Sequence, residues 1–451
     1  MSFAIIYRLF YKQLVKLGVL EMKFHWFAEV TYPHLPDDFR ERYDSAWVTP
    51  PAHLHDPRKV GETYRMFIRL MQLADRVGFD GLTVNEHHQT PLAMSPSPNL
   101  LAASLATSTQ YAAITIVGNS LALYNPPTRV AEEYAYLDCL SGGRLAAGFV
   151  LGTPMDSVFA YGMTPVEMRE RFDEARRLIL RAWTEAKPFA FNGKYNKLRY
   201  VNIWPRPIQQ KMPIWVPGGG GSVETWDLVI DHDYCYGHLS FSGLYSSKPL
   251  VDAYWEYVDK RGGTMNPHRM AFTQIVCIAN TDAEAEQEYY QAVRYFHRNS
   301  APRAGFLSPP GYTTPKSTKF MADLAKTNQG KLTAEDRLRA STGQMSFWEY
   351  DEKGYIIAGT PKRVRQRLRE LITDLRIGQL IATPHMGNVR EEVAAENTRL
   401  FGYEVAPYLR DLWADQVDLW TPEITQQLVA ANAPSKAGVA NQHAAERAAA
   451  K

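Results

Sequence analysis

Residues 114–150 read ITIVGNSLALYNPPTRVAEEYAYLDCLSGGRLAAGFV. The run Ile114–Asn119 is β-branched and apolar before it turns polar, as a buried strand would be. Thr128–Leu140 follows a helical pattern and stops at Ser141-Gly142-Gly143, where glycine suits the left-handed residue that ends a helix. Arg144–Val150 is a second strand. A strand, a helix and a strand in sequence predict a parallel pair joined by a helical crossover.

The same alternation extends in both directions. Further strands are expected at Lys23–Val30, Gly81–Asn85, Pro213–Val216, Tyr234–Leu239, Met270–Ile278 and Gln379–Thr383, making eight. Helices are expected at Gly61–Gly78, Leu100–Ser108, Pro165–Ala186, Ser222–Ile230, Pro249–Arg261, Ala283–Arg298, Pro361–Leu375 and Glu391–Leu412. Eight β-then-α units predict an α/β chain folded as a (β/α)8 TIM barrel with insertions. No GxGxxG follows the first strand, which argues against an open dinucleotide-binding sheet. The barrel is expected over 22–412, with insertions at about 187–211 and an irregular stretch at 299–355. Residues 1–21 read as an N-terminal extension ahead of Met22. Residues 413–451 read as a C-terminal extension ending in a disordered tail of small polar residues.

Composition narrows the function classes. The 451 residues carry a formal net charge of +2, with 45% hydrophobic and 22% charged residues, so neither nucleic acid nor a membrane surface is an expected partner. The basic run Pro361–Arg369 has Val364, Leu368, Leu371 and Leu375 at helical spacing, so its charges are read as a solvated helix face. Cys139, Cys235 and Cys277 form no CxxC pair; they fit a reducing cytoplasm and argue against a disulfide framework or a zinc knuckle.

In a barrel of this kind chemistry sits on the loops after the strands. Asn85-Glu86-His87-His88 follow strand 2. Adjacent residues on a strand point to opposite sides, so Glu86 and His88 share a side and His87 does not. That geometry weakens a metal reading of the histidine pair and leaves a general base or a hydrogen-bonded structural histidine. Gly219, Gly220, Gly221 and Ser222 lie between a strand and a helix start. Main-chain N–H groups and the helix dipole there make a phosphate nest, or else a tight turn that binds nothing. Asn119, Ser120 and Leu121 end strand 3, and Val150, Gly152 and Thr153 end strand 4. His238 and His385 follow strands 6 and 8. Phe27, Trp47, Tyr124 and Trp348 are candidates for an apolar pocket or for ordinary core.

The stretch Ala74–His88 resembles the second-strand signature of the bacterial-luciferase-like flavin monooxygenases. So do Pro127–Glu133 with Leu137–Leu145, Trp204–Gln209, Gly359-Thr360-Pro361 and the closing Phe401–Arg410. The resemblance runs from about Lys23 to Arg410. It implies a barrel that uses reduced FMN, supplied by a separate NAD(P)H:flavin reductase. Oxygen adds to the reduced flavin to give a C4a-peroxide, which oxygenates a small organic substrate. By this resemblance His87 matches the catalytic histidine and Glu86 lies against the flavin. Asn119, Ser120 and Leu121 match the turn beneath the isoalloxazine, often with a non-prolyl cis peptide. Val150, Gly152 and Thr153 match the strand 4 loop, and Gly219, Gly220, Gly221 and Ser222 the phosphate loop. Leu151 departs from the family: luciferase has an arginine there that meets the flavin phosphate, so another cation must serve.

The resemblance also implies a homo-oligomer, a dimer or tetramer. A dehydrogenase using the deazaflavin F420 is an alternative within the same fold. A metal-dependent barrel hydrolase built on His88, His238 and His385 is another, and a non-catalytic flavin-binding barrel a third. The segments that match nothing general, the loop after strand 1 above all, are where substrate choice is expected to lie.

Overall fold

The computed structural model describes residues 21–432 except 240, 302–303 and 328–331. The expected N-terminal extension up to residue 20 and the tail from 433 lie outside the described residues. Eight strands form the barrel: β1 Lys23–Phe27, β2 Gly81–Val84, β3 Ala113–Ile116, β4 Leu145–Val150, β5 Ile214–Gly218, β6 Cys235–His238, β7 Met270–Ile278 and β8 Gln379–Thr383. Each pairs in parallel with the next, and Lys23 opposite Gln379 closes the ring between β1 and β8.

The helices that cover the barrel are α1 Pro57–Arg76, α2 Pro98–Ser108, α3 Thr128–Ser141, α4 Met168–Thr184, α5 Val223–Asp231, α6 Leu244–Lys260, α7 Asp282–Ser300, α8 Pro361–Leu375 and α9 Glu391–Leu400. Local chemistry sets their ends. Asp56 caps α1 by accepting from Arg58 and Lys59 N–H, with Pro57 in the first turn, where no donor is needed. Gly142, at φ 69°, ends α3 in the left-handed conformation its sequence called for. The expected last helix stops at Leu400, and Phe401–Val405 widen into a π turn ahead of Pro407, which has no N–H to continue a helix.

Four elements differ from the sequence reading. The insert at 187–211 holds an antiparallel hairpin, Phe189–Asn192 with Lys197–Val201. The stretch 299–355 is largely helical, including Pro315–Thr327, Ala334–Ser341 and Phe347–Glu352. A ninth parallel strand, Ile356–Gly359, pairs with the end of β7 outside the ring. The arginines of α8 are not all solvated: Arg363 and Arg367 both reach the buried Asp351.

Inside the barrel Phe27, Val117, Ala146, Trp215, Cys235, Ala271 and Ile381 form a small core, with Trp420 packed against it. Trp420 belongs to the C-terminal extension. Its carbonyl accepts from Trp215 Nε1, its own Nε1 donates to Asp233 O, and nearby Asp418 accepts from Gln379. Trp215 lies at the start of β5, Asp233 just before β6 and Gln379 at the start of β8, so the extension closes the floor and the opposite mouth holds the strand ends.

Candidate functional site at the barrel mouth

A register change in β3 aims the first group. Ile114 faces Leu145, but Asn119 faces Phe149, so one extra residue has entered on the β3 side. Such a bulge re-aims a side chain. Gly118, at φ 128°, sits at the bulge, where a Cβ would lie 2.8 Å from the Val150 side chain. Beyond it Asn119 and Ser120 turn onto Glu86. Glu86 Oε2 accepts from Asn119 Nδ2 at 2.8 Å, from Tyr124 Oη at 2.8 Å and from Ser120 N at 3.3 Å. Glu86 Oε1 accepts from His88 Nε2 at 2.9 Å. The sharing of one side by Glu86 and His88 is therefore realised as a hydrogen bond. His88 Nδ1 accepts from Tyr161 at 3.3 Å.

His87 points the other way. Its Nδ1 lies 2.8 Å from Asp156 Oδ2, and Asp156 Oδ1 accepts from the His88 main chain at 2.7 Å. Thr153 Oγ1 donates to the same Asp156 Oδ2 at 2.7 Å. Burial works against charge on His87, but Asp156 at hydrogen-bond distance, with Glu29 and Glu86 nearby, outweighs it and raises the imidazole to about 9. Burial likewise opposes charge on Asp156, yet His87 and the donated hydrogen bonds hold its carboxyl below the usual range. Glu29 is raised by burial, partly offset by His87 and by a 2.7 Å bond from Asn85 Nδ2. Trp47 packs its ring edge-on to His87.

The strand 4 and strand 5 loops complete the mouth. Val150 pairs with Ser120, and a Cβ on Gly152 (φ 90°) would come within 3.0 Å of Ser120 Oγ. Tyr312, from the 299–355 insertion, donates to Gly152 O. Gly220 and Gly221 adopt φ 94° and 79°, and Ser222 caps α5 by accepting from Thr225 N. Arg169 Nη2 donates to Ser222 Oγ at 3.3 Å, and its Nε is buried with no partner among the described residues. His238 lies against Gly220, is pushed by burial down to about 4, and has both ring nitrogens similarly unpartnered. The first N–H of α5, Val223 N, is already taken by Ser317 Oγ of the insertion.

A cavity of about 420 Å³ opens beside His87, between the loop after β1 and residues 87–96.

All the site residues read from the sequence thus lie at one mouth. Glu86, His87, Asn119, Ser120, Val150, Gly152 and Thr153 form one connected corner, with Leu121 buried behind it. Gly219, Gly220, Gly221 and Ser222 form another, joined to the first through Arg169 and Tyr312, which interact electrostatically. No cis peptide occurs at 119–121; among the described residues the cis bonds are Asn125–Pro126 and Trp204–Pro205. His385 packs on Phe67 and His238 on Phe272. Among the described residues no three His, Cys, Asp or Glu side chains gather as metal ligands. Of the aromatic candidates, Phe27 is barrel interior, Tyr124 bonds Glu86 and Trp348 bonds Glu286. No described helix is long and apolar enough to cross a membrane.

Sequence reasoning missed Asp156, Arg169 and Tyr312. Asp156, three residues after Thr153 in a post-strand loop, was open to the same positional filter. Arg169 looks like any of the arginines along α4, and Tyr312 sits in the unmatched insertion.

The family model described as luciferase-like monooxygenase matches residues 44–377. A flavin-dependent trigonelline monooxygenase, oxygenase component, from Acinetobacter baylyi is 30% identical over 167 residues, covering 36% of this chain and 45% of the relative. An F420-dependent glucose-6-phosphate dehydrogenase from Kineococcus radiotolerans is 32% identical over 198 residues, covering 42% and 57%. The chain thus spans about half the length of these relatives. The oxygenating constituent of 3,6-diketocamphane monooxygenase from Pseudomonas putida, solved with FMN, superposes with TM-score 0.63 at 20% identity, over 86% of this chain and 98% of that one.

Proposed function

The chain belongs to the luciferase-like monooxygenase family, and we propose that it is the oxygenase of a two-component system, taking reduced FMN from a separate NAD(P)H:flavin reductase. The observation that carries the reading is the pairing of two corners at one mouth. One is an anion cradle with a half-buried arginine, Arg169, whose Nε is buried without a partner among the described residues; the other is a histidine held by a carboxylate. The residues fit FMN. Gly219, Gly220, Gly221, Ser222 and Arg169 would hold its phosphate, with Arg169 serving where Leu151 cannot. Asn119, Ser120, Leu121, Val150, Gly152 and Thr153 would flank its ring system, and Asn119 Oδ1 is a buried acceptor without a partner among the described residues.

When bound, the reduced flavin supplies two electrons that activate O2, so that one oxygen atom enters the substrate and the other leaves as water. The chain's own residues orient and protonate. Asp156 fixes His87 through Nδ1 and leaves Nε2 to face the reacting atoms. In its charged form His87 donates a proton from Nε2; Glu86 keeps the Asn119–Ser120 turn in place.

His87→Ala, assayed with a generic flavin reductase, should lose about 10²- to 10⁴-fold in product formation. Oxygen uptake should continue with release of hydrogen peroxide. Full product turnover by the variant would overturn the role of His87. A second reading, hydride transfer with F420, is favoured by the dehydrogenase relative. Titration of the protein with FMN and with F420 separates the two.

A further inference from the structure

We infer that the cavity beside His87 takes a neutral, largely hydrocarbon substrate that offers one hydrogen-bond acceptor to His87 Nε2, and that it discriminates against carboxylates and quaternary amines. The inference rests on the oxygenase reading above and names its substrate class.

The lining carries it. No Asp, Glu, Lys or Arg is among the described residues that line the cavity. Its hydroxyl groups are spent on main-chain carbonyls: Tyr32 donates to Leu54 O at 3.1 Å, Tyr64 to Met94 O at 2.7 Å and Thr90 to Ala46 O at 2.9 Å. Four prolines, Pro50, Pro51, Pro91 and Pro96, form much of the rest and bring no N–H donor. Gln89 and His55 are exposed at the rim. His87 is left as the polar group of the interior, and Asp156 already occupies its Nδ1.

Both signs of charge are therefore disfavoured. An anion would leave water for a site whose one cation is already paired at 2.8 Å with Asp156. A cation would meet no carboxylate in the lining and would face the protonated imidazole. Charges moved from water without a partner pay their full desolvation. A neutral molecule with a carbonyl or ether oxygen pays little and gains one charge-assisted hydrogen bond. The volume of about 420 Å³ is in the range of small-molecule pockets.

The test is equilibrium dialysis of the full chain, without added flavin, against three probes of one skeleton: cyclododecanone, cyclododecanecarboxylate and cyclododecyltrimethylammonium. The ketone should bind, and each ion should bind at least about 10-fold more weakly, the ratio expected for one unmet polar contact. Met94→Trp, which fills the cavity, should lose ketone binding while keeping the melting temperature. Met94→Lys should reverse the order and favour the carboxylate. Either ion binding as tightly as the ketone overturns the inference. So does a ketone that fails to bind, or that binds Met94→Trp unchanged. Because this binding is read without flavin, failure of FMN to bind in a parallel titration would sink the cofactor reading and leave the charge preference standing.

Discussion

The two corners of the barrel mouth differ in how their polar groups are met. On the β2–β4 side Glu86 accepts four hydrogen bonds and Asp156 is engaged through both oxygens. On the β5–β6 side Arg169 Nε and both nitrogens of His238 are buried with no partner among the described residues. Buried polar groups are rarely left so, because each costs about 1–3 kcal/mol. The carboxylates of the first corner are engaged before anything binds, while Asn119 Oδ1 beside them has no partner among the described residues. The unsatisfied corner gives up stability that an anionic ligand would restore. Removing a polar side chain should therefore harm the fold on one side and harm only affinity on the other.

Glu86→Ala is the severest way to break that contrast. It strands donors from His88, Asn119 and Tyr124 together and should cost about 3 kcal/mol or more, read as a large fall in the unfolding midpoint with loss of activity. A variant that unfolds like the parent would mean that the corner is not held by this carboxylate. Arg169→Met should leave the midpoint unchanged or higher, while FMN affinity drops about 10- to 100-fold, the worth of a hydrogen bond to a charged group. Unchanged FMN affinity would show that Arg169 is not the phosphate cation.

Asp156→Asn sharpens the contrast with the smallest disturbance. Burial lowers His87 and Asp156 raises it, leaving the imidazole at about 9. Activity that needs protonated His87 should hold through neutral pH and fall as pH rises through about 9. Without the carboxylate that alkaline limb should move down by about one to three pH units. A limb that stays in place would separate His87 from the pH dependence. The same shift stabilises the fold: the folded value lies above the ordinary 6.5, so the contribution is complete below about 6.5 and is lost as pH rises through about 9. Asp156, held below 3.8, adds stability above that pH and loses it as pH falls further.

Much of the fold was legible because its strands and helices bury one face at a regular period. Lys23–Phe27 proved shorter than the Lys23–Val30 reading, but its place held. The Phe189–Val201 hairpin was missed because both faces are largely exposed, which leaves no apolar alternation to read. Ile356–Gly359 is fully buried but only four residues long, and short apolar runs do not separate strand from helix. Insertion 299–355 was taken as irregular although Thr333 and Ser346 each begin a capping box.

The site divides along the same line. Glu86, His87 and the glycine loop could be singled out as candidates because position after a strand marks them, and local chemistry suffices for that. The sequence alone settled the repeated βα unit, the helix caps and the residue types at the mouth. Only the tertiary structure decided that the ring of His87 rather than that of His88 meets Asp156, 69 residues away, and that Arg169 meets Ser222 across 53. It also decided that the loop after β1 walls the cavity with uncharged groups. The physical reason is range. Periodicity and capping act within a few residues, whereas the charge on an imidazole is set by whichever carboxylate the closed barrel brings beside it.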